Sequence, residues 1–425
     1  MTRKIFHTAA IILLPLILAA CSRPGIDPMS AEDLLGNPAY PAMSYGGYRE
    51  NTRDSIPSVE EIKEDLRILE AMGVRILRTY NTQQYAHTER LLKAIRETRE
   101  TNPMFEMYVM LGAWIDCKDA WTASPDHSRE DVENNTAEIN AAVRLANTYP
   151  EIVKVIAVGN EAMVHWAASY FVEPGIILKW VEYLQDLKKS GALPADLWIT
   201  SSDNFASWGG GDSSYHKPDL EQLIRAVDFI SVHTYPFHDT HYNPGFWLVP
   251  PAEQDLEKEE QVQFAMQRAA DYAREQYNSV KEYVAGLGIR KEIHIGETGW
   301  ASEDNYLYGA AGSKAADEYK QHLYYDLIRA WTEEENIACF FFEAMDESWK
   351  DKKNPGGSEN HFGLITVDGV AKFVLWDQVD AGLFEGLTRG GKPIRKSYSG
   401  NFEKLVEEMI PPDPVPNDTL IIGHR

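Results

Sequence analysis

Side chains able to do chemistry gather at the ends of short apolar runs in this chain. The clearest case is EIHIGETGWASED, residues 292–304, where Ile293 and Ile295 alternate with other residues until the run stops at Gly296-Glu297-Thr298-Gly299-Trp300. A bare carboxylate between glycines, followed by tryptophan, is an unusual way to end a strand. A second run, IVKVIAVGNE, ends on Asn160-Glu161. Other runs end on Tyr45, on Arg78-Thr79-Tyr80-Asn81, on Trp114, on Asp203-Asn204, on His233 and Tyr235, and on Glu343 with Asp346, Trp349 and Lys350 close behind. No histidines stand at metal-ligand spacing and no serine sits in a nucleophile elbow, so neither a metal nor a cofactor is expected. Carboxylates, amides and aromatics suit cleavage of a glycosidic bond. One carboxylic acid protonates the leaving oxygen, a second carboxylate attacks the anomeric carbon, and aromatic faces stack on sugar rings.

Such residues converge only if the runs are strands of one sheet. The chain alternates apolar extended runs with amphipathic helices, as parallel α/β folds do. Strands are expected within 42–48, 74–81, 104–114, 152–161, 197–204, 228–236, 291–300 and 336–347. Ser58 and Glu61 form a capping box for a helix carrying Val59, Ile62, Leu66, Leu69 and Met72 at helical spacing and ending at Gly73. Further helices are expected near 128–148, 260–287 and 312–335. Eight strands with helices between them predict a closed (β/α)8 barrel, with its site at the carboxyl ends of the strands. An open doubly wound sheet is the second choice, since no Gly-rich phosphate loop opens any helix. The connection 236–255 is too long for a passive turn, and with Phe246 and Trp247 it is expected to wall a cleft. Residues 371–410 are expected to pack as a closing helix.

The motifs together resemble glycoside hydrolase family 17. VGNEA at the fourth strand and GETGWAS at the seventh are similar to that family's acid/base and nucleophile motifs. FFFEAMDESWK at the eighth, YGGYR (45–49) and ILRTYN (76–81) fit the same pattern, so the resemblance spans roughly residues 43–365. Ala301 and Ser348 depart from it, each standing where the family usually has proline, outside the catalytic pair. The resemblance implies that Glu161 is the general acid/base and Glu297 the nucleophile, with Asn160 on the sugar 2-hydroxyl. Physical reasoning agrees: retaining glycosidases hold two carboxyls about 5–5.5 Å apart, where one ionised group raises the pKa of the other.

Substrate-binding expectations fall on Tyr45, Tyr80, Asn81, Trp114, Asn160, Asn204, Tyr235, Trp300, Glu343, Asp346, Trp349 and Lys350. Glu343 is the rival nucleophile and is expected to bind substrate hydroxyls or orient Glu297, with Asp346 and Lys350 nearby. Tyr235 is expected to donate to the nucleophile or to the sugar ring oxygen, Arg78 to hold strand-end carboxylates, and His233 to be a satisfied core histidine. Trp114, Trp166, Trp208 and Trp247 are candidate sugar platforms. The implied activity is retaining endo-β-1,3-glucanase action on laminarin-type glucan. A β-1,3-glucan transglycosylase using the same two glutamates is the alternative, and a non-catalytic glycan-binding lipoprotein comes third.

Composition limits partners. With 44% hydrophobic and 25% charged residues the chain reads as a soluble globular protein, and its formal net charge of −24 repels nucleic acid and polyanionic sugars. A neutral β-glucan is the expected partner. Arg3 and Lys4 precede an apolar run from Ala9 to Ala20, too short to span a bilayer, and the run ends in Leu18-Ala19-Ala20-Cys21. That ending resembles the lipobox of bacterial lipoproteins, which implies a signal over 1–20, a lipidated tether over 21–42 starting at Cys21, a hydrolase domain over 43–410 and a tail over 411–425. The implied place is the outer membrane, on its periplasmic face or at the cell surface, with membrane contact through the lipid anchor alone. Cys117 and Cys339 stand at no metal-type spacing and offer no disulfide framework.

Overall fold

The computed structural model describes residues 29–416. Eight parallel strands close a barrel: β1 (Ala42–Ser44), β2 (Ile76–Arg78), β3 (Tyr108–Ala113), β4 (Val153–Asn160), β5 (Trp198–Asn204), β6 (Ile230–His233), β7 (Ile293–Gly299) and β8 (Cys339–Phe342). Each lies within a run expected to be a strand. Closure is made by β1, whose Ala42 pairs with Ile76 of β2 on one side and Phe340 of β8 on the other. Seven helices cover the barrel: α1 (Val59–Ala71), α2 (His87–Thr101), α3 (Val132–Thr148), α4 (Pro174–Lys189), α5 (Pro218–Ala226), α6 (Lys258–Gly286) and α7 (Glu318–Glu334).

Helix starts follow capping chemistry more closely than apolar periodicity. In α1 the Ser58 hydroxyl accepts from Glu61 N–H while the Glu61 carboxylate accepts from Ser58 N–H, and Ile62, Leu66 and Leu69 face inward. Asp131 accepts from Asn134 N–H at 3.1 Å and Asp317 from Lys320 N–H at 2.8 Å. Helices α3 and α7 therefore begin later than the expected 128 and 312. The residues before α3 instead form an antiparallel pair, Cys117–Lys118 with Asp126–Glu130.

Three expectations fail. From Met29 onward the supposed tether is packed. Ser30 caps a single helical turn, Ala31–Leu34, and Ala31, Leu34 and Leu35 join Phe229 and Phe340 in a second apolar cluster at the amino-terminal end of the barrel. Cys21 and the rest of that segment lie outside the described residues, as does the expected signal.

The region 371–410 is not one helix. Short helices at Trp376–Asp380 and Phe402–Glu408 flank small strand pairs, Val370–Ala371 with Arg395–Lys396 and Thr388–Arg389 with Lys392–Pro393. Buried charge fixes the segment: Arg389 reaches Asp65 of α1 at 3.0 Å, and Asp65 also binds Arg49 at 2.9 Å. The expected tail is anchored over its first residues, since Val415 N–H donates to Val249 O at 2.9 Å.

Apart from His238, which lies 3.6 Å from Glu359, the 236–255 connection borders no described cavity. It packs on α6, where Arg268 binds Phe246 O and Glu253, Phe246 stacks on Tyr272, and Trp247 is buried with its indole N–H on Ser313 O. Its apolar content is core for this subdomain, which explains why so polar a loop carries both Phe246 and Trp247.

Candidate active site

At the carboxyl end of the barrel a groove of about 640 Å³ runs across β1, β2 and β3 and reaches Glu297. Strand β4 delivers Glu161 by a twist. Gly159 (φ +80°) precedes Asn160, and Glu161 itself is left-handed at φ 46°, its N–H donating to Ser202 O at 3.0 Å. A Cβ at Gly159 would meet that of Ala162 at 2.9 Å, so the turn requires glycine twice over. Strand β7 delivers Glu297 opposite His233 of β6. Gly296 beneath it leaves room for Ser231, whose hydroxyl would stand 2.0 Å from any Cβ there.

Glu297 is buried and closely held. Tyr235 O–H donates to Oε1 at 2.6 Å, Tyr80 O–H to Oε2 at 3.0 Å, and the Arg78 guanidinium pairs with Oε2. The other arm of Arg78 donates to Asn160 Oδ1 at 2.5 Å. Glu161 Oε1 lies 3.1 Å from His233 Nδ1, and His233 Nε2 lies 2.8 Å from the Ser202 hydroxyl. His233 is a satisfied core histidine as expected, with the added property that its partner is Glu161.

The two carboxyls are driven apart electrostatically. Burial, then the charge of Glu297, pushes Glu161 up to about 8. Burial also acts to raise Glu297, but positive charge on His233 and Arg78 and the Tyr235 hydrogen bond outweigh it and bring it down to about 2. Burial lowers His233 to about 4, so it is neutral near pH 7 and Arg78 is the cation that acts there. Near neutrality the site therefore holds one protonated and one ionised carboxyl, the arrangement that acid and nucleophile roles require.

Of the expected binding residues, Tyr45, Tyr80, Asn81, Trp114, Asn160, Trp349 and Lys350 line the groove beside Glu297. Tyr45 is committed to the fold, its hydroxyl on Asp65 at 3.1 Å. Asn81 Oδ1 and Trp349 Nε1 are buried and find no hydrogen-bond partner within the protein. Tyr235 acts through Glu297.

Four expectations are corrected. Trp300 is fully buried, its indole donating to Ala315 O at 2.8 Å. Asn204 turns back to accept from Ala206 N–H at 3.0 Å. Asp346 pairs with Lys372 at 2.7 Å and lines a different, acidic cavity of about 530 Å³. Glu343 neither lines the groove nor bonds Glu297; it pairs with Lys350 at 2.5 Å, and burial raises its pKa well above the usual carboxylate range. Among the tryptophans, Trp208 and Trp247 are core, Trp166 is exposed away from the groove walls, and Trp114 alone of the four lines it.

Sequence reasoning passed over Glu138, Glu347, Tyr48, His87 and Trp121. Glu138 sits on the inner face of α3 and accepts from the N–H groups of Thr82, Gln83 and Trp114, tying the loops after β2 and β3 together. A carboxylate inside a helical run carries no motif. Its signal was position on the apolar face.

The chain matches the BtgE/BtgC glycoside hydrolase domain over residues 42–363. It is similar to an endo-laminarinase from Formosa Hel1_33_131, with 62% identity and a TM-score of 0.90, covering 91% of this chain and 98% of that one. A glucan 1,3-beta-glucosidase of Arthroderma benhamiae is 25% identical over 321 residues, 74% of this chain and 83% of the relative. An active-site mutant of Rhizomucor miehei β-1,3-glucanosyltransferase in complex with laminaritriose shares the fold, at a TM-score of 0.53 and 20% identity over 77% of this chain and 93% of its own. The chain belongs to the BtgE/BtgC glycoside hydrolase family.

Proposed function

We propose that this protein is a retaining endo-β-1,3-glucanase that cleaves laminarin-type β-1,3-glucan. The observation that carries the reading is the pair Glu161 and Glu297 at one barrel mouth, the first against His233 and the second against Tyr235 and Arg78, surroundings that favour a protonated and an ionised carboxyl respectively. Glu161 donates its proton to the glycosidic oxygen as Glu297 attacks the anomeric carbon, giving a glycosyl ester and a free leaving sugar. Forming the ester removes the charge of Glu297. Glu161 then becomes the stronger acid and, now ionised, takes a proton from the incoming water. In this reading Asn160, held by Arg78, hydrogen-bonds the sugar 2-hydroxyl, as the family resemblance implies. The resemblance of VGNEA and GETGWAS to glycoside hydrolase family 17 and the 62% identity to an endo-laminarinase support the substrate class. An acidic chain and a groove mixing aromatic, amide and carboxylate side chains suit a neutral polymer.

The experiment is sizing of the products from a linear β-1,3-glucan. Shorter chains of several lengths are expected; no cleavage would refute the reading. Products longer than the substrate would assign the transglycosylase, which uses the same intermediate with a sugar as acceptor. A binding-only role has no need of two carboxyls in opposite states. For location, the Leu18-Ala19-Ala20-Cys21 ending supports a lipoprotein anchored through Cys21, and Ser22 rather than Asp after it favours the outer membrane. Metabolic labelling with a fatty acid, lost on Cys21→Ala, tests it.

A further inference from the structure

Trp121 stands at the tip of the excursion after β3, between the paired segments Cys117–Lys118 and Asp126–Glu130. It is 63% exposed, a costly place for a large indole, and its backbone is left-handed at φ 64°, a conformation that non-glycine residues seldom adopt. Neither feature is forced by the core, which the ring does not enter. Both are stabilised by local contacts. Trp121 N–H donates to Ser169 O at 2.8 Å, and its ring stacks on Tyr170 at 4.9 Å and 21°. Tyr170 packs in turn on Trp114, whose indole N–H binds Asp116 at 2.8 Å. An exposed aromatic face held rigidly by unfavoured backbone points to use rather than packing.

The face belongs to the groove, since Trp121, Trp114, Asn134 and Glu297 all line it. Asn81, also on its wall and only 9% exposed, has an Oδ1 with no partner in the protein. A rigid aromatic plane in a groove whose walls also carry amide and carboxylate side chains matches a sugar ring, which is apolar on its C–H faces and polar at its rim. Glu297 and Asn160 line the groove and Glu161 does not, which suits the half of the substrate that remains on Glu297 after the first step.

We propose that Trp121 is a distal platform on which a glucosyl unit of the retained half of the chain stacks, remote from the bond being cleaved. The inference rests on the β-1,3-glucanase reading. It makes turnover depend on chain length: a hexasaccharide is expected to gain the contact with Trp121 and a trisaccharide to lack it.

The test compares kcat/KM on laminarihexaose and laminaritriose for the wild-type protein, Trp121→Ala and Trp121→Phe. The hexaose-to-triose ratio is expected to fall about tenfold in Trp121→Ala, the effect of one lost aromatic stack, and to be largely kept by Trp121→Phe. Should alanine not fold at this position, Trp121→Leu keeps the apolar bulk without a ring face and is expected to lose the ratio too. A wild-type ratio near one, an unchanged ratio in Trp121→Ala or Trp121→Leu, or a Trp121→Phe ratio as low as alanine's would overturn the platform while leaving the glucanase reading intact. Absence of wild-type cleavage of either substrate would refute the glucanase reading first, and the platform with it.

Discussion

Arg78 and Glu297 form a buried ion pair across the barrel mouth, linking the end of β2 to the end of β7. Because the other arm of the same guanidinium holds Asn160 at 2.5 Å, one cation fixes both the ionised carboxylate and the amide preceding Glu161. Fork geometry is what allows it, and a lysine could not make both contacts.

Arg78→Lys is accordingly expected to lower kcat/KM by about tenfold or more, the loss of one charge-assisted hydrogen bond. It should also move the acidic limb of the pH profile upward, since Glu297 loses part of what holds it down. Kinetics across the acid range check this. An unmoved acidic limb would mean that Arg78 does not set the state of Glu297.

Glu161 at about 8 fixes the basic side of the profile. Activity should fall as pH rises through that region, because the acid deprotonates. Glu161→Gln should remove the limb and lower kcat on glucan by roughly 10²–10⁴-fold. The deficit should shrink on an aryl glycoside whose leaving group needs no proton.

The same groups govern stability with opposite signs. Glu161 binds its proton more tightly folded than unfolded, so its contribution is full below about 4.5 and is lost as pH rises toward about 8. Glu297 is depressed when folded, so its contribution is present above about 4.5 and lost as pH falls toward about 2. Thermal melts of Glu161→Gln against wild type should converge at the low end of the 4.5–8 window, with the variant gaining relative stability as pH rises. Parallel curves would contradict the burial assigned to Glu161.

Asp65→Ala tests the architecture of the carboxyl-terminal segment. Removing it leaves Arg389 buried without its counter-charge and takes a partner from Arg49 and Tyr45. A loss of about 3–5 kcal/mol is expected in denaturant unfolding. A change under 1 kcal/mol would mean that the segment is not fixed through this ion pair.

What the sequence made legible divides along physical lines. Periodicity and capping marked the barrel because each strand and helix carries its own local signature, and Asn160-Glu161 and Glu297 stood out because carboxylates at strand ends break those patterns. Trp300, Trp247 and Asp346 were misplaced because an indole or a carboxylate looks the same in sequence whether it faces sugar or is buried against Ala315 O, Ser313 O or Lys372. The region 371–410 was misread because Arg389 finds Asp65 some three hundred residues away, and no local pattern encodes that pairing. Glu138 and Trp121 were missed for the converse reason: the groups they contact, Thr82 and Tyr170, come from other loops.

The most direct test of the account traps the intermediate. Incubation with a 2-deoxy-2-fluoro-β-laminaribiosyl fluoride, followed by proteolysis and mass spectrometry, should find the sugar esterified to Glu297. A label on Glu343 or Glu161, or full turnover of glucan with inversion at the anomeric carbon and no labelled peptide, would contradict it.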